Sequence, residues 1–314
     1  MHTHSVRNLL QTSAISVLLL ASLNPRTLSQ PQPLRTWPSA AAHVAHQYPD
    51  ARIAVLDIAT NRLLASTHLA ETASTLAAPG STLKPLVLYS LISAGRWNPT
   101  HRIACTRKLT VAGRSLNCSH PPSDPMDARQ ALTWSCNTYF NAVSRSLAPG
   151  ELRILLAPSG ILGPTGLAPI EASAEFRAPL SPDQASLALL GVDGIRVTPL
   201  ELAAAYRWLA LQFAAHPGST AAQVIREGLA DSVSFGIAGA ASLGGVSVAG
   251  KTGTANLSAA TPSHGWFVGL APADHPQVVL AIYLPTGHGS NAAQVAADLL
   301  ANSPLRQSNP GPHP

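Results

Sequence analysis

Ala78-Pro79-Gly80-Ser81-Thr82-Leu83-Lys84-Pro85 marks a change of pattern in the chain. Pro79-Gly80 is a turn pair. Beyond it the apolar positions Leu83, Leu86, Val87, Leu91 and Ala94 follow helical spacing, with Ser90 on the same face. Ser81 therefore falls at a helix N-terminus, where backbone N–H groups lack intrahelical partners. Lys84, three residues on, shares its face about one turn above. Pro85 fits because the first turn does not use its N–H. The stretch sets a hydroxyl beside an amine at the positive end of a helix.

Ser-x-x-Lys alone is as compatible with a cap and a surface lysine as with chemistry. The basic composition narrows the choice. Of twenty Lys and Arg residues only Lys84, Lys108 and Lys251 are lysine. Arg keeps its proton at working pH, whereas a buried Lys can release it.

Outward from this point, Arg52 to Ile58 and Arg62 to Ser66 read as a hairpin joined by Ala59-Thr60-Asn61. Residues 97–125 are irregular, followed by short helices over Met126 to Trp134 and Thr138 to Leu147. Ser181-Pro-Asp-Gln184, Thr198-Pro-Leu-Glu201 and Thr220-Ala-Ala-Gln223 match capping boxes. Val246 to Thr254, Gly265 to Leu270 and Val278 to Leu284 read as strands, and Ser290 as the cap of a last helix to Ala301. Short links between the late strands imply antiparallel pairing. The expected fold is α/β (α+β): an antiparallel sheet with strands from both chain ends, flanked by helices, plus an all-helical lobe and a cleft between them.

Composition bounds the rest. Of 314 residues 46% are hydrophobic and 11% charged, with net charge +5. That is enough apolar material for a sizeable core, and the arginines form no basic stripe, so no nucleic-acid partner is expected. Residues 1–29 carry a basic start, the apolar run Ser13 to Leu23 and Thr27-Leu28-Ser29, the pattern of an export signal or N-terminal anchor. Membrane contact is expected only there, and only if the segment stays uncleaved. Residues 30–50 read as a linker with a little helix, 51–302 as the folded domain and 303–314 as a flexible tail. In an exported chain Cys105 and Cys118 can pair across the polar loop between them, leaving Cys136 free; the alternative is three plain thiols. No cofactor fingerprint is present, and no metal set is expected: His43 and His46 read as exposed linker histidines, and His120, His264 and His288 as surface or cleft rim.

Two further patterns complete a constellation. Ser135-Cys136-Asn137 lies between the two short helices, and Lys251-Thr252-Gly253-Thr254 on the strand after Gly250. Ser-x-x-Lys, Ser-x-Asn and Lys-Thr-Gly in this order mark serine acyl-transfer enzymes. Ser81 reads as the nucleophile. Lys84 can act as its base once its pKa falls from about 10.4 toward 7, a shift of roughly 4–5 kcal/mol, for which burial and the nearby Lys251 charge are the expected causes. Ser135 can pass the proton to the leaving amine. Asn137 can fix Lys84 and hold a substrate amide. The Ser81 and Thr254 N–H groups suit an oxyanion hole. Lys251, Thr252 and Thr254 suit a substrate carboxylate, and Gly253 lets substrate lie close to the strand.

With these motifs the chain resembles the transpeptidase domain of penicillin-binding proteins, over roughly residues 51–302. Val197-Thr198-Pro199-Leu200-Glu201-Leu202-Ala203 and Gly265-Trp266-Phe267-Val268-Gly269-Leu270-Ala271-Pro272 extend the resemblance. It implies a five-stranded antiparallel sheet with a helical lobe, and a serine D,D-transpeptidase or carboxypeptidase outside the cytoplasmic membrane. It also implies peptidoglycan stem peptides and β-lactams as ligands, cell-wall synthesis proteins as partners, and no cofactor. Most members carry an N-terminal pedestal or a glycosyltransferase domain, whereas here a signal and linker precede residue 50. A serine β-lactamase is the first alternative: Glu171 falls near the position of a deacylating base in one class, but the companion Asn is absent, with Glu175 there, and an ordinary loop residue is the preferred reading of Glu171. A penicillin sensor that acylates once is the second.

Overall fold

The computed structural model describes residues 2, 35–242, 246–256 and 261–306. The export-signal reading of residues 1–29 lies outside them, apart from His2. Among the described residues no helix is long and apolar enough to cross a membrane.

The expected sheet forms. Strands β1 (Arg52–Asp57) and β2 (Leu63–Ser66) come from the first part of the chain. Strands β3 (Ala249–Ala255), β4 (His264–Ala271) and β5 (Val278–Leu284) come from the last. Their order is β2-β1-β5-β4-β3, and every pairing is antiparallel. Two consequences follow. Strand β1 joins the late hairpin through β5, with Ala54 opposite Ala281. Strand β3, which carries Lys251-Thr252-Gly253-Thr254, is left on an edge, with an unpaired margin free to bind.

Side chains alternate across the pleat. Ile53, Val55, Phe267, Leu280 and Ile282 enter a core on one face. Ala54, Leu56, Trp266, Val268 and Ala281 enter a larger core on the other. Both faces are apolar, so these strands are buried almost throughout. The first face is closed by α1 (Trp37–Gln47) and α10 (Gly289–Ala301), whose Trp37, Val44, Val295 and Leu299 join its core. The linker reading of 30–50 is therefore corrected for its second half. Thr36 and Ser39 form a capping box, and the small residues Ala40 and Ala41 let the helix lie close to the sheet. Part of the supposed tail is also ordered: Ser303 is buried and Pro304–Arg306 form a 3-10 turn, while the residues beyond 306 lie outside the described part.

The second face carries the helical lobe. A short α2 (Leu69–Ser74) leads to a 3-10 turn, Gly80–Leu83, which runs into α3 (Lys84–Ser93). Helices α4 (Ala128–Thr133), α5 (Asn137–Arg145), α6 (Glu151–Leu156) and α7 (Pro182–Leu189) follow. Then come α8 (Pro199–Ala215) and α9 (Thr220–Ser234). The α8 capping box closes both ways: Glu201 N–H donates to Thr198 Oγ1 at 3.1 Å, and Thr198 N–H donates to the Glu201 carboxylate at 2.7 Å. Two caps lie one and two residues ahead of the sequence expectation. Ser219 rather than Thr220 caps α9, its Oγ accepting from Ala222 N–H. His288 rather than Ser290 caps α10, with Asn291 Oδ1 accepting the His288 N–H. In both cases an earlier residue takes the extended cap conformation and a suitable neighbour satisfies the free N–H.

Candidate active site

Ser81 lies inside the 3-10 turn, one residue after Gly80, rather than at the α-helix N-cap. The turn is held from four directions. Gly80 N–H donates to Gly191 O at 2.9 Å. Tyr206 Oη donates to Thr82 O at 2.9 Å. Two buried rings share one acceptor: Trp266 Nε1–H and the His264 Nε2 each reach Ala78 O, at 2.9 and 2.8 Å. Gly80 needs its lack of a side chain twice over. Its φ is +56°, and a Cβ there would lie 2.8 Å from the Thr254 backbone nitrogen. The backbones bearing the Ser81 and Thr254 N–H groups are thus in close contact.

Gly253 has a different cause from the one expected. A Cβ on it would meet Pro79 O at 2.5 Å and Thr82 Cγ2 at 3.0 Å. Its missing side chain lets the Ser81 turn sit against edge strand β3; it does not clear room for a ligand on that side.

Lys84 enters from the first turn of α3 and is fully buried. Its Nζ donates to Asn137 Oδ1 at 2.6 Å, Ser135 O at 3.0 Å and Ser135 Oγ at 3.2 Å. The Phe140 ring centroid lies 5.0 Å away. Among the described residues every hydrogen-bond partner is uncharged, and burial lowers the amine pKa to about 7, with Cys136 and Cys118 opposing the shift. Lys251 is also fully buried, its Nζ 3.3 Å from Thr252 O. Burial, and then repulsion from Lys84, push its pKa far down. Of the two expected causes, burial acts on Lys84 as expected, while the repulsion from the other amine falls on Lys251.

Ser135 and Asn137 flank Cys136 in the turn between α4 and α5. Ser135 has φ +55°, uncommon for a residue with a Cβ. The turn is secured by Cys136 N–H to Ala131 O at 2.9 Å. Asn137 Nδ2 donates to Leu116 O at 3.0 Å, which fixes its amide so that Oδ1 faces Lys84. Thr254 Oγ1 accepts from Gly289 N–H at 2.9 Å.

These side chains share one cleft. Ser81, Ser135, Asn137, Thr252 and Thr254 line a cavity of about 270 Å³, with Leu116 and Val192 among its other walls. Val192 also borders a neighbouring cavity of about 430 Å³ lined by Arg114, Glu175, Arg177, Asp193 and Arg196. All three motifs named from sequence converge. His264, Trp266, Tyr206 and Gly191, which hold the turn, were not expected at the site. Gly191 is the one with a local signal, a glycine just after an apolar helix end.

The loop reading of Glu171 holds, and the cysteine pairing does not. Glu171 is used up by its own loop, accepting from Thr165 N–H at 2.5 Å, Ala168 N–H at 2.7 Å and Thr165 Oγ1. Burial would raise its pKa, but these hydrogen bonds hold it below the usual range. The Cys105–Cys118 pair is not formed: all three cysteines are thiols. Cys118 turns toward Cys136, 3.9 Å away between sulfurs, because its Sγ accepts the Asn137 N–H.

Comparison with known proteins bears on the family and the fold. Residues 52–302 match the family model described as penicillin binding protein transpeptidase domain. The chain is 23% identical over 267 residues to Peptidoglycan D,D-transpeptidase PbpA of Mycobacterium tuberculosis (strain ATCC 25618 / H37Rv), covering 73% of this chain and 52% of the relative. The protein of the same name from Mycolicibacterium smegmatis is 24% identical over 245 residues, covering 67% and 50%. The chain therefore spans about half the length of these curated relatives. Among solved structures, the transpeptidase domain of Burkholderia pseudomallei penicillin-binding protein 3 superposes with TM-score 0.74 at 19% identity, covering 89% of this chain and 98% of that one. The D,D-transpeptidase domain of a peptidoglycan glycosyltransferase from Eggerthella lenta gives 0.68 at 20% identity, covering 85% and 80%.

Proposed function

The chain belongs to the penicillin-binding protein transpeptidase family, and on that premise we propose that it is a serine acyltransferase acting on peptidoglycan stem peptides ending in D-Ala-D-Ala. The observation that carries this is the buried Lys84 amine, bonded to Ser135 and Asn137 in the cleft that Ser81 lines. An amine titrating near 7 is neutral often enough to serve as a base.

In the proposed sequence Lys84 takes the Ser81 proton as Oγ attacks the penultimate D-Ala carbonyl. The oxyanion is met by the Ser81 and Thr254 N–H groups. Ser135 then delivers the proton to the leaving D-Ala nitrogen, and an ester to Ser81 remains. A second stem-peptide amine, or water, attacks that ester. Once it holds the Ser81 proton, Lys84 has three donors, matched by Asn137 Oδ1, Ser135 O and Ser135 Oγ; the bond to Ser135 Oγ is the path along which the proton can pass on, which supports Ser135 as relay. Lys251, Thr252 and Thr254 are proposed to hold the terminal carboxylate. Edge strand β3 offers backbone groups to an extended peptide. The adjoining 430 Å³ cavity, with three arginines and two acids, gives a longer substrate room beyond the scissile bond.

Acting on stem peptides would require the domain to lie outside the cytoplasmic membrane, and the export pattern of residues 1–29 supports that reading. Residues 51–302 are proposed as the catalytic unit, β-lactams as acylating analogues and cell-wall synthesis proteins as partners. The β-lactamase alternative draws no support from Glu171, whose carboxylate is committed to Thr165 and Ala168. The test is to supply a D-Ala-D-Ala donor with an amine acceptor, and nitrocefin separately. The expected result is D-Ala release with nitrocefin hydrolysis stopping near one equivalent. Many nitrocefin turnovers without D-Ala release would overturn the assignment.

A further inference from the structure

One cluster is not used by the chemistry above. Cys105, Cys118, His120 and Cys136 come from separate points of the loop before α4 and from the second motif. One ligand-bearing atom of each lies within 4.8 Å of all the others. Cys118, His120 and Cys136 are buried, at 7%, 2% and 0% exposure. We propose that these four side chains form a tetrahedral Zn²⁺ site, with three thiolates and one imidazole, braced directly beneath Ser135 and Asn137.

The histidine argues most strongly. His120 Nδ1 reaches the Pro121 carbonyl at 2.6 Å, and a carbonyl only accepts, so Nδ1 carries the hydrogen. The lone pair is then on Nε2, which is buried with no hydrogen-bond partner among the described residues. A buried acceptor left so costs about 1–3 kcal/mol. Nδ1–H held by a carbonyl is also the arrangement that orients a metal-binding imidazole. The backbone of this residue is fixed as well, by Arg107 donating to His120 O.

The sulfurs agree. Zinc with Zn–S near 2.3 Å sets tetrahedral sulfurs about 3.8 Å apart; Cys118 and Cys136 stand at 3.9 Å. Two backbone donors point at sulfur: Arg107 N–H to Cys105 at 3.3 Å and Asn137 N–H to Cys118 at 3.2 Å. Such donors stabilise negative thiolate sulfur. Three soft sulfurs and an imidazole suit zinc and not magnesium or calcium. On binding, the thiols lose their protons to solvent and no redox change occurs.

The position gives the site a purpose. Cys136 sits between Ser135 and Asn137, and the loop that carries Cys118 also supplies Leu116 O to Asn137. A metal would tie this loop to the two groups that grip Lys84. In this respect the inference rests on the acyltransferase reading, with the four ligands acting as positioning residues.

The full chain purified without chelators would be assayed for metal and for free thiols. About one zinc per chain is expected, surviving gel filtration. Cys105→Ser and His120→Ala should each lower retained zinc about tenfold or more, with His216→Ala as an unchanged control. Cobalt(II) in place of zinc should give tetrahedral ligand-field and thiolate charge-transfer bands, lost in both variants. Should a variant fold poorly, chelation of the wild type should lower its Tm, and Zn²⁺ alone should restore it. A metal-free chain that does not take up added Zn²⁺, a Cys118–Cys136 disulfide, or zinc that persists in the Cys105→Ser/His120→Ala double variant would each overturn the site. Zinc content is read without acylation, so a Ser81→Ala protein that retains zinc separates this inference from the enzyme reading.

Discussion

Lys84 has no counter-ion among its hydrogen-bond partners: Asn137 Oδ1, Ser135 O and Ser135 Oγ are all neutral. Its pKa falls to about 7, chiefly through burial. Cys136 and Cys118 oppose the fall, and the repulsion between the two amines lowers Lys251 instead. The sign follows directly. Below pH 7 the amine is charged and cannot take the Ser81 proton; above it the amine is free. Acylation by a penicillin should therefore fall about tenfold per unit as pH drops below the pKa, and level off above it. A rate that is flat from pH 5.5 to 8.5 would contradict Lys84 as base. Lys84→Ala should slow acylation by about 10²- to 10⁴-fold while the chain still folds. That Ser81, Lys84, Ser135 and Asn137 meet in one place was legible from sequence because each motif is short and local in its spacing. His120 was not: what distinguishes it is an unpartnered Nε2, and burial of one atom leaves no trace in the order of residues.

At the scale of elements, the site is a crossing between a 3-10 turn and an edge strand. Besides Gly80, two glycines seat the turn, Gly253 on the edge strand and Gly191 behind it. A Cβ on Gly191 would lie 2.1 Å from Gly80 O, and one on Gly253 2.5 Å from Pro79 O. Both obstacles are backbone and cannot swing aside. Gly191→Ala, strained further by φ +69°, should displace the Ser81 turn and cut the acylation rate about 100-fold. Gly253→Ala should do the same, although its Cβ would face the turn and not the cleft. Stopped-flow acylation with each variant, beside its thermal melt, checks this; a folded variant with an unchanged rate would contradict it. The strands, α8 and the capping box at Thr198 were legible because period and cap chemistry are local. The reason for Gly253 was misread because a glycine in a strand announces a close approach without saying which partner approaches.

Over the whole molecule, the two ends of the folded chain meet in one sheet, and the site lies on its lobe side. The opposite core, built by α1, α10 and the outer faces of Ile53, Val55 and Phe267, supports the sheet from the far side; α10 reaches the site through its first residue, Gly289, whose N–H donates to Thr254 Oγ1. Trp37→Ala should thus lower stability by about 3 kcal/mol and leave the acylation rate of the folded protein unchanged; a melt paired with penicillin labelling separates the two effects. That α1 belongs to the domain was hard to read, since its alanine-rich face is little different in composition from a Pro- and Ser-rich linker. Antiparallel order among the late strands was easier, because short connections leave few alternatives.

The central claim is that Ser81 forms a covalent acyl-enzyme with help from Lys84. Intact and peptide mass spectrometry of the chain treated with a labelled penicillin tests it most directly. One adduct is expected, on the peptide bearing Ser81, absent in Ser81→Ala and much slowed in Lys84→Ala; a label on any other residue, or an undiminished label in Ser81→Ala, would contradict it.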